Sequence, residues 1–260
     1  MNAYDKTKPP LYMLAEIASI LRSETGCPWD KEQTHESLKS DLIEEAYEVY
    51  DAIESGDAAN LKEELGDLLY QVYAHAQMAM EDGEFTIDDV AAGIVNKLVS
   101  RHPHVFGDAD VKTSAEVLKN WEAIKKKEKA ERNSILEGIP NMLPALLKAF
   151  RVQEKARRVG FDWASSEDAL YKLDEETAEF KRAVTEGNQT EAEDEAGDIL
   201  FSIVNILRLK GINPEDALRR SVDKFTKRFM HMEHACEREL SSKTSEELEA
   251  LWAQAKKEVG

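Results

Sequence analysis

The sequence predicts an all-α fold made of two tandem repeats. Apolar residues recur at intervals of three and four positions, as in Leu61, Leu65 and Leu68, and no segment shows the alternation that a strand requires. One acidic pattern also occurs twice, with each residue of the second copy 131 positions after its counterpart (175 − 44). These two observations indicate duplicated helical units.

Helices follow one another along the whole chain, separated by short groups of helix-breaking residues. Apolar periodicity begins at Leu14 and continues through the acidic segments of both halves. Glycine, proline and small polar residues mark the predicted helix ends. These groups are Ser55-Gly56-Asp57, Asp82-Gly83, His102-Pro103-His104, Glu186-Gly187-Asn188 and the stretch from Gly211 to Pro214.

The boundary between the repeats is predicted from a cluster of such residues. Gly138, Pro140 and Pro144 lie between the two acidic patterns. We therefore predict an amino-terminal repeat over residues 1–135 and a carboxy-terminal repeat over residues 136–260. Each repeat is long enough to bury a core of its own.

The duplicated acidic pattern reads EExxE, a spacer, then ExxD. Its members are Glu44, Glu45, Glu48, Glu64 and Asp67 in the first copy and Glu175, Glu176, Glu179, Glu195 and Asp198 in the second. Residues three or four apart share a helix face, so each half of the pattern pairs two carboxylates. Two such helices packed antiparallel bring four carboxylates together, and hard oxygen ligands favour Mg²⁺ or Mn²⁺. The pattern predicts a metal site in one or both copies.

The duplication extends to basic and aromatic residues on both sides of the acids. Trp29 in GCPWD corresponds to Trp163 in GFDW. The remaining counterparts lie downstream: Lys97, Arg101, Trp121 and Lys125 in the first copy, and Lys224, Arg228, Trp252 and Lys256 in the second. Each basic pair is spaced at i, i+4, so both side chains can reach one ligand.

Composition excludes several classes of protein. A formal net charge of −18, negative in both halves, is the opposite of what binding to duplex nucleic acid requires. The longest apolar stretch, from Ile199 to Leu209, is far shorter than the ~20 residues that span a bilayer, and we interpret it as a buried helix. Two distant cysteines and an amino terminus unlike a secretory signal favour a reduced, cytoplasmic protein.

Taken together, these motifs resemble the MazG-type nucleoside triphosphate pyrophosphohydrolases in their two-repeat bacterial form. The resemblance rests on GCPWDKEQT (26–34), the two EExxE and ExxD pairs, SRHPHVFGD (100–108) and the closing tryptophan motif. It implies repeats with a four-helix core that hydrolyse nucleoside triphosphates to monophosphate and pyrophosphate, with Mg²⁺ as cofactor and Mn²⁺ as an alternative. It also implies a homodimer in which neighbouring copies complete each site.

The resemblance assigns roles to the duplicated residues. The metal ligands would be Glu45, Glu48, Glu64 and Asp67, with Glu176, Glu179, Glu195 and Asp198. The substrate-holding residues would be Lys97, Arg101, Trp121 and Lys125, with Lys224, Arg228, Trp252 and Lys256. The catalytic candidates are Glu44, Glu45, Glu175 and Glu176. The first glutamate of each EExxE is a candidate for orienting or deprotonating water, or for supporting the metal ligands from outside.

Three other interpretations stay open. A di-iron oxidase would need Glu-x-x-His on two helices, and only the Glu32–His35 pair has that spacing. The second interpretation is a non-catalytic binding module, or a protein in which the first copy serves assembly alone. The third is a related pyrophosphohydrolase with a narrow substrate, such as a deoxyuridine nucleotide or phosphoribosyl-ATP. Stacking on tryptophan tolerates any base and favours a broad substrate range.

Overall fold

The computed structural model describes residues 4–109, 111–114, 116–117, 120–121, 124, 133–236 and 240–259. Across these residues the regular structure is entirely helical, which confirms the all-α prediction. The chain divides into two compact units, Met1–Ala130 and Glu131–Gly260. The boundary predicted after residue 135 stays a prediction.

The first unit is built around an antiparallel helix pair. Helix α3 packs along α4, α1 packs against α2 and α4, and α5 contacts α4 and α6. The bounds are α1 Pro10–Arg22, α2 Pro28–Glu32, α3 Lys39–Ser55, α4 Ala58–Glu81, α5 Ile87–Arg101 and α6 Pro103–Phe106.

The second unit repeats this arrangement around its own helix pair. Helix α8 packs along α9, α7 contacts α9 and α10, and α10 contacts α9 and α11. The bounds are α7 Ala145–Arg157, α8 Ser166–Glu186, α9 Gln189–Leu209, α10 Pro214–Ala235, a 3₁₀ turn Leu240–Ser242 and α11 Ser245–Glu258.

The turn between the paired helices has the same chemistry in both units. Gly56 ends α3 with φ of 70°, and Gly187 ends α8 with φ of 71°, a left-handed conformation that favours glycine. The next residue caps the following helix: Asp57 Oδ1 accepts from the amide of Ala59 at 2.9 Å. Asn188 caps α9 in the same way. These turns set the register in which the acidic helices face each other.

Small side chains hold the paired helices close together. Ala52 of α3 and its counterpart Ala183 of α8 are 1% and 0% exposed. Large apolar side chains, in contrast, remain exposed on several helices, including Leu65 and Leu69 beside the acids of α4. The prediction that Ile199–Leu209 forms a buried helix is therefore correct only in part, because Val204 is buried while Phe201 is 44% exposed.

Helix α5 is the extreme case of such exposure. A capping box between Thr86 and Asp89 fixes its start. Its apolar residues Val90, Ile94 and Leu98 lie four positions apart, on one face, and all three are exposed. No described helix combines the length and apolarity that crossing a bilayer demands.

Candidate active site

The acidic residues of the first unit meet between α3 and α4. Helix α3 carries Glu45 and Glu48, and Glu64 projects from α4. Each of these three side chains offers a carboxylate oxygen, and the three oxygens lie within 4.8 Å of one another. Asp67, one turn along α4, is near enough for its charge to raise the pKa of both Glu45 and Glu64. The antiparallel pair thus brings the predicted acids together.

The second unit contains the same cluster between α8 and α9. Oxygens of Glu176, Glu179 and Glu195 lie within 4.8 Å of one another. Glu176 is 5% exposed, so this carboxylate lies at the bottom of the cluster. Asp198 adds its negative charge to the surroundings of Glu195.

Burial and mutual repulsion act on the protonation of these acids. Burial, followed by a hydrogen bond with Glu48 and the charge of Asp67, raises the pKa of Glu45. Burial, followed by the charges of Glu48 and Asp67, raises the pKa of Glu64. Burial, followed by the charge of Glu179, raises the pKa of Glu195. Such shifts mean that the fully ionised clusters need a compensating positive charge.

The donor atoms fit a hard divalent cation. Each cluster offers carboxylate oxygens from two facing helices, which is the ligand type that Mg²⁺ and Mn²⁺ prefer. Glu195 Oε2 is buried and makes no hydrogen bond to the described part of the chain. A buried carboxylate oxygen in this position has a natural partner in a cation.

The first glutamate of each EExxE pattern lies outside these groups of three. Glu44 and Glu175 are exposed, and the side chain of Glu175 retains 58% of its accessible surface. An exposed carboxylate next in sequence to a cluster residue can hydrogen-bond a water molecule. Both predicted roles, orienting or deprotonating water and supporting the metal ligands from outside, stay open for Glu44 and Glu175.

A lysine beside the second cluster was missed by the sequence analysis. Lys172 Nζ lies 2.7 Å from Oε1 of Glu176 and 3.3 Å from Oε1 of Glu175. The signal was present in the sequence, because Lys172 precedes these acids by three and four positions on one helix face. The first unit has Asp41 at the corresponding position (172 − 131).

A second group of predicted residues surrounds Trp252. The Arg228 guanidinium lies 5.9 Å and the Lys256 ammonium 5.8 Å from the centre of this ring, distances typical of cation–π contacts. Phe225, which was not predicted, packs against the indole with ring centres 5.1 Å apart. Lys224 lies one turn before Arg228 on α10 and is exposed.

The corresponding residues of the first unit are described in part. Lys97 is exposed and Arg101 half-buried, one turn apart near the end of α5. Trp121 is a half-buried helical residue. Lys125 lies outside the described residues, so its predicted role stays a prediction.

Largely buried arginines hold the segments that carry the first tryptophan of each repeat. In the first unit, Arg22 donates to the carbonyls of Asp30 and Gln33 and bonds Glu81 of α4. In the second, Arg208 of α9 pairs with Asp162, whose neighbour Trp163 is 40% exposed. These contacts join α2 in the first unit and the loop containing Asp162 in the second unit to the helix pair, and the two arginines occupy different positions in the two repeats.

Fold and site together define a class: a tandem-repeat all-α protein with a carboxylate cluster suited to a metal ion between the paired helices of each repeat. The family model of the MazG nucleotide pyrophosphohydrolase domain matches residues 33–106 and 164–232, one segment in each repeat. The chain belongs to this family, and it is an enzyme of the hydrolase class. The resemblance inferred from the motifs is confirmed.

Whole-length relatives support this assignment. The nucleoside triphosphate pyrophosphohydrolase/pyrophosphatase MazG of Thermotoga maritima is 46% identical over 247 residues, covering 94% of each chain. The nucleoside triphosphate pyrophosphohydrolase of Escherichia coli K12 is 43% identical over 267 aligned positions, covering 99% of this chain and 98% of the relative. A crystal structure of a mazG-related protein from Thermotoga maritima aligns with a TM-score of 0.39 and 33% identity, covering 44% of this chain and 98% of that one.

Proposed function

We propose that this enzyme hydrolyses ribo- and deoxyribonucleoside triphosphates to monophosphate and pyrophosphate in a Mg²⁺-dependent reaction, with Mn²⁺ as an alternative metal. The observation that carries the proposal is the pair of carboxylate clusters, each with oxygens from two helices within 4.8 Å. The names of the whole-length relatives support the reaction type.

The clusters supply the cation ligands in this proposal. Glu45, Glu48, Glu64 and Asp67 would hold the metal in the first repeat, and Glu176, Glu179, Glu195 and Asp198 in the second. When bound, such a cation lowers the pKa of a water ligand and neutralises phosphate charge. An acidic protein can thereby bind a highly anionic substrate.

Exposed carboxylates next to the clusters would handle the attacking water. Glu175 adjoins Glu176 in sequence and keeps most of its side chain accessible, and Glu44 is its exposed counterpart. A glutamate in this place can accept a hydrogen bond from water and orient it, or take its proton. The buried Glu176 is better suited to binding the cation, as is its counterpart Glu45.

The group around Trp252 would bind the nucleotide. Its indole offers a flat apolar face for a base, and such stacking is tolerant of base identity. Arg228, Lys256 and the exposed Lys224 would contact phosphates, arginine through its planar fork and lysine as a point charge. Lys97, Arg101, Trp121 and Lys125 would do the same in the first repeat. Tolerant stacking supports a broad substrate range.

A homodimer is part of the proposal. The apolar face of α5 and the exposed Leu65 and Leu69 of α4 are more than a soluble monomer ordinarily leaves uncovered. A second copy of the chain would cover them and place its own helices beside each acidic cluster. We further propose that the dimer acts in the cytoplasm on free nucleotides, without binding nucleic acid or membrane.

The test is product analysis with purified protein. Each of the common ribo- and deoxyribonucleoside triphosphates is incubated with Mg²⁺, with Mn²⁺ or with EDTA, and mono-, diphosphate, pyrophosphate and phosphate are resolved. We expect monophosphate and pyrophosphate in equal amounts from several triphosphates, and none with EDTA. Diphosphate with phosphate would overturn the proposed reaction, and turnover of one nucleotide alone would overturn its breadth.

A further inference from the structure

The residue one turn before the EExxE acids differs in charge between the two repeats, and this difference has a consequence for metal binding. It bears on the metal site of the proposed function and therefore rests on that proposal. Position 172 of the second repeat is lysine, and position 41 of the first is aspartate. Both positions lie one turn before the EExxE acids, on the helix face that those acids share.

In the second repeat the lysine is engaged with the cluster. The Lys172 ammonium bonds Glu176 at 2.7 Å and Glu175 at 3.3 Å. Glu176 is nearly fully buried and is also one of the three acids whose oxygens converge. A lysine side chain is ordinarily cationic at neutral pH, so this contact places a positive charge against the cluster.

In the first repeat the same face carries another negative charge. Asp41 Oδ1 accepts a hydrogen bond from the hydroxyl of Ser40 at 3.0 Å. As a carboxylate, Asp41 cannot neutralise Glu44 or Glu45, which follow three and four positions later on the helix. At this position the first cluster has a carboxylate where the second has an ammonium.

We propose that Lys172 is a resident counter-ion of the second cluster, which a divalent cation must displace from Glu176, so that without nucleotide the first cluster binds the cation more tightly. The ammonium and the cation compete for the same carboxylate. Breaking the ammonium contact opposes metal binding in the second repeat, while the extra charge of Asp41 favours it in the first.

The expected effects are moderate because both charges are partly solvated. Lys172 retains 35% of its side-chain exposure, and exposed ion pairs have modest strength. Removing the ammonium should tighten cation binding to the second cluster about three- to tenfold. Placing a lysine at position 41 should weaken binding to the first cluster by a similar factor.

The experiment is a Mn²⁺ titration of the full chain without nucleotide, in which electron paramagnetic resonance measures free Mn²⁺. Two double variants separate the clusters. Glu48→Gln with Glu64→Gln leaves only the second cluster with all its proposed metal ligands, and Glu179→Gln with Glu195→Gln leaves only the first. We expect tighter binding in the double variant that keeps the first cluster. Lys172→Met should tighten the second cluster, and Lys172→Arg, which preserves the charge, should bind as the parent does.

The first cluster provides the reciprocal test. Asp41→Lys should weaken Mn²⁺ binding there, and Asp41→Asn should have a smaller effect in the same direction. Circular dichroism confirms that each variant is folded, and the conservative Lys172→Arg and Asp41→Asn pair keeps the test informative if a charge reversal unfolds the chain.

The outcomes separate this proposal from the proposed function. Unchanged or weaker binding in Lys172→Met, with Mn²⁺ still bound and triphosphate still hydrolysed, would overturn the counter-ion role alone. Equal Mn²⁺ affinities of the two clusters would also overturn the counter-ion role. Absence of Mn²⁺ binding from both double variants and from the unmodified chain would overturn the metal-dependent function itself.

Discussion

Glu64 of α4 faces Glu45 of α3, with carboxylate oxygens no more than 4.8 Å apart. Burial and the neighbouring acids raise the pKa of both residues above the ordinary value of 4.5. A raised pKa in the folded state means that the contribution of these two carboxyls to stability is fully present below pH 4.5 and is lost as pH rises through the shifted values. Without metal, the ionised cluster therefore destabilises the first repeat at neutral pH.

Replacing one of these acids should stabilise the metal-free protein. Glu64→Gln removes a charge from the cluster, so we expect a higher Tm in EDTA at pH 7.5 and little difference at pH 4. Calorimetry at both pH values measures this, with the exposed Glu54→Gln as control. A lower Tm for Glu64→Gln at pH 7.5 would show that the cluster does not carry the repulsion inferred here.

Trp252 should contribute to substrate binding. Loss of base stacking costs about 1–3 kcal/mol, so Trp252→Ala should raise KM about 5- to 150-fold. Trp252→Phe keeps an aromatic face against Phe225 and should retain most of the affinity. Steady-state kinetics gives KM, and a thermal melt separates lost binding from lost packing. An unchanged KM in a folded Trp252→Ala variant would place the base elsewhere.

The His35–His75 pair should make stability pH-dependent. Their Nδ1 atoms are 2.7 Å apart, so one ring must be neutral to accept the hydrogen bond. Burial, and then the charge of His35, lowers the pKa of His75. A lowered histidine pKa gives stability that is present above about 6.5 and lost as pH falls below it.

Replacing His75 should remove this dependence. We expect the Tm of the unmodified protein to fall more steeply between pH 7.5 and 5.5 than that of His75→Leu. His104→Gln, which leaves the pair intact, should behave as the unmodified protein. Parallel curves for all three proteins would contradict the role of the pair.

Helix α5 should lie in the dimer interface. Leu98→Glu places a charge in the exposed apolar face of α5, and we expect sedimentation velocity to show a monomer. Asn96→Glu adds the same charge on the opposite side of the helix and should leave the dimer intact. A dimer that survives Leu98→Glu would move the proposed contact away from this face.

Much of the fold and of the acidic clusters could be predicted from sequence because their signals are local or repeated. Helical periodicity defined the helices, and Gly56 and Gly187 marked the turns between them. The 131-residue repeat singled out the acids, and antiparallel packing brings three of the four carboxylates expected in each copy within 4.8 Å of one another.

Other features are not marked by the repeat or depend on contacts between segments. The contact of Lys172 with Glu176 lies within one helix, but the repeat does not mark it, because the counterpart of Lys172 is Asp41. Phe225 contacts Trp252 only through the packing of α10 against α11. Leu65 belongs to the apolar periodicity of α4 and is nevertheless 49% exposed, because periodicity does not specify which residues of a face other helices cover.

The most direct test of the account is pyrophosphate release from ATP and Mg²⁺ by Glu48→Gln, by Glu179→Gln and by the double variant. Removing a metal ligand should cost at least as much as losing an outer-shell partner, so we expect the double variant to be about 100-fold slower or worse. Unequal single-variant losses would identify the more active repeat. A folded double variant that releases pyrophosphate at the unmodified rate would contradict the claim that the carboxylate clusters catalyse the reaction.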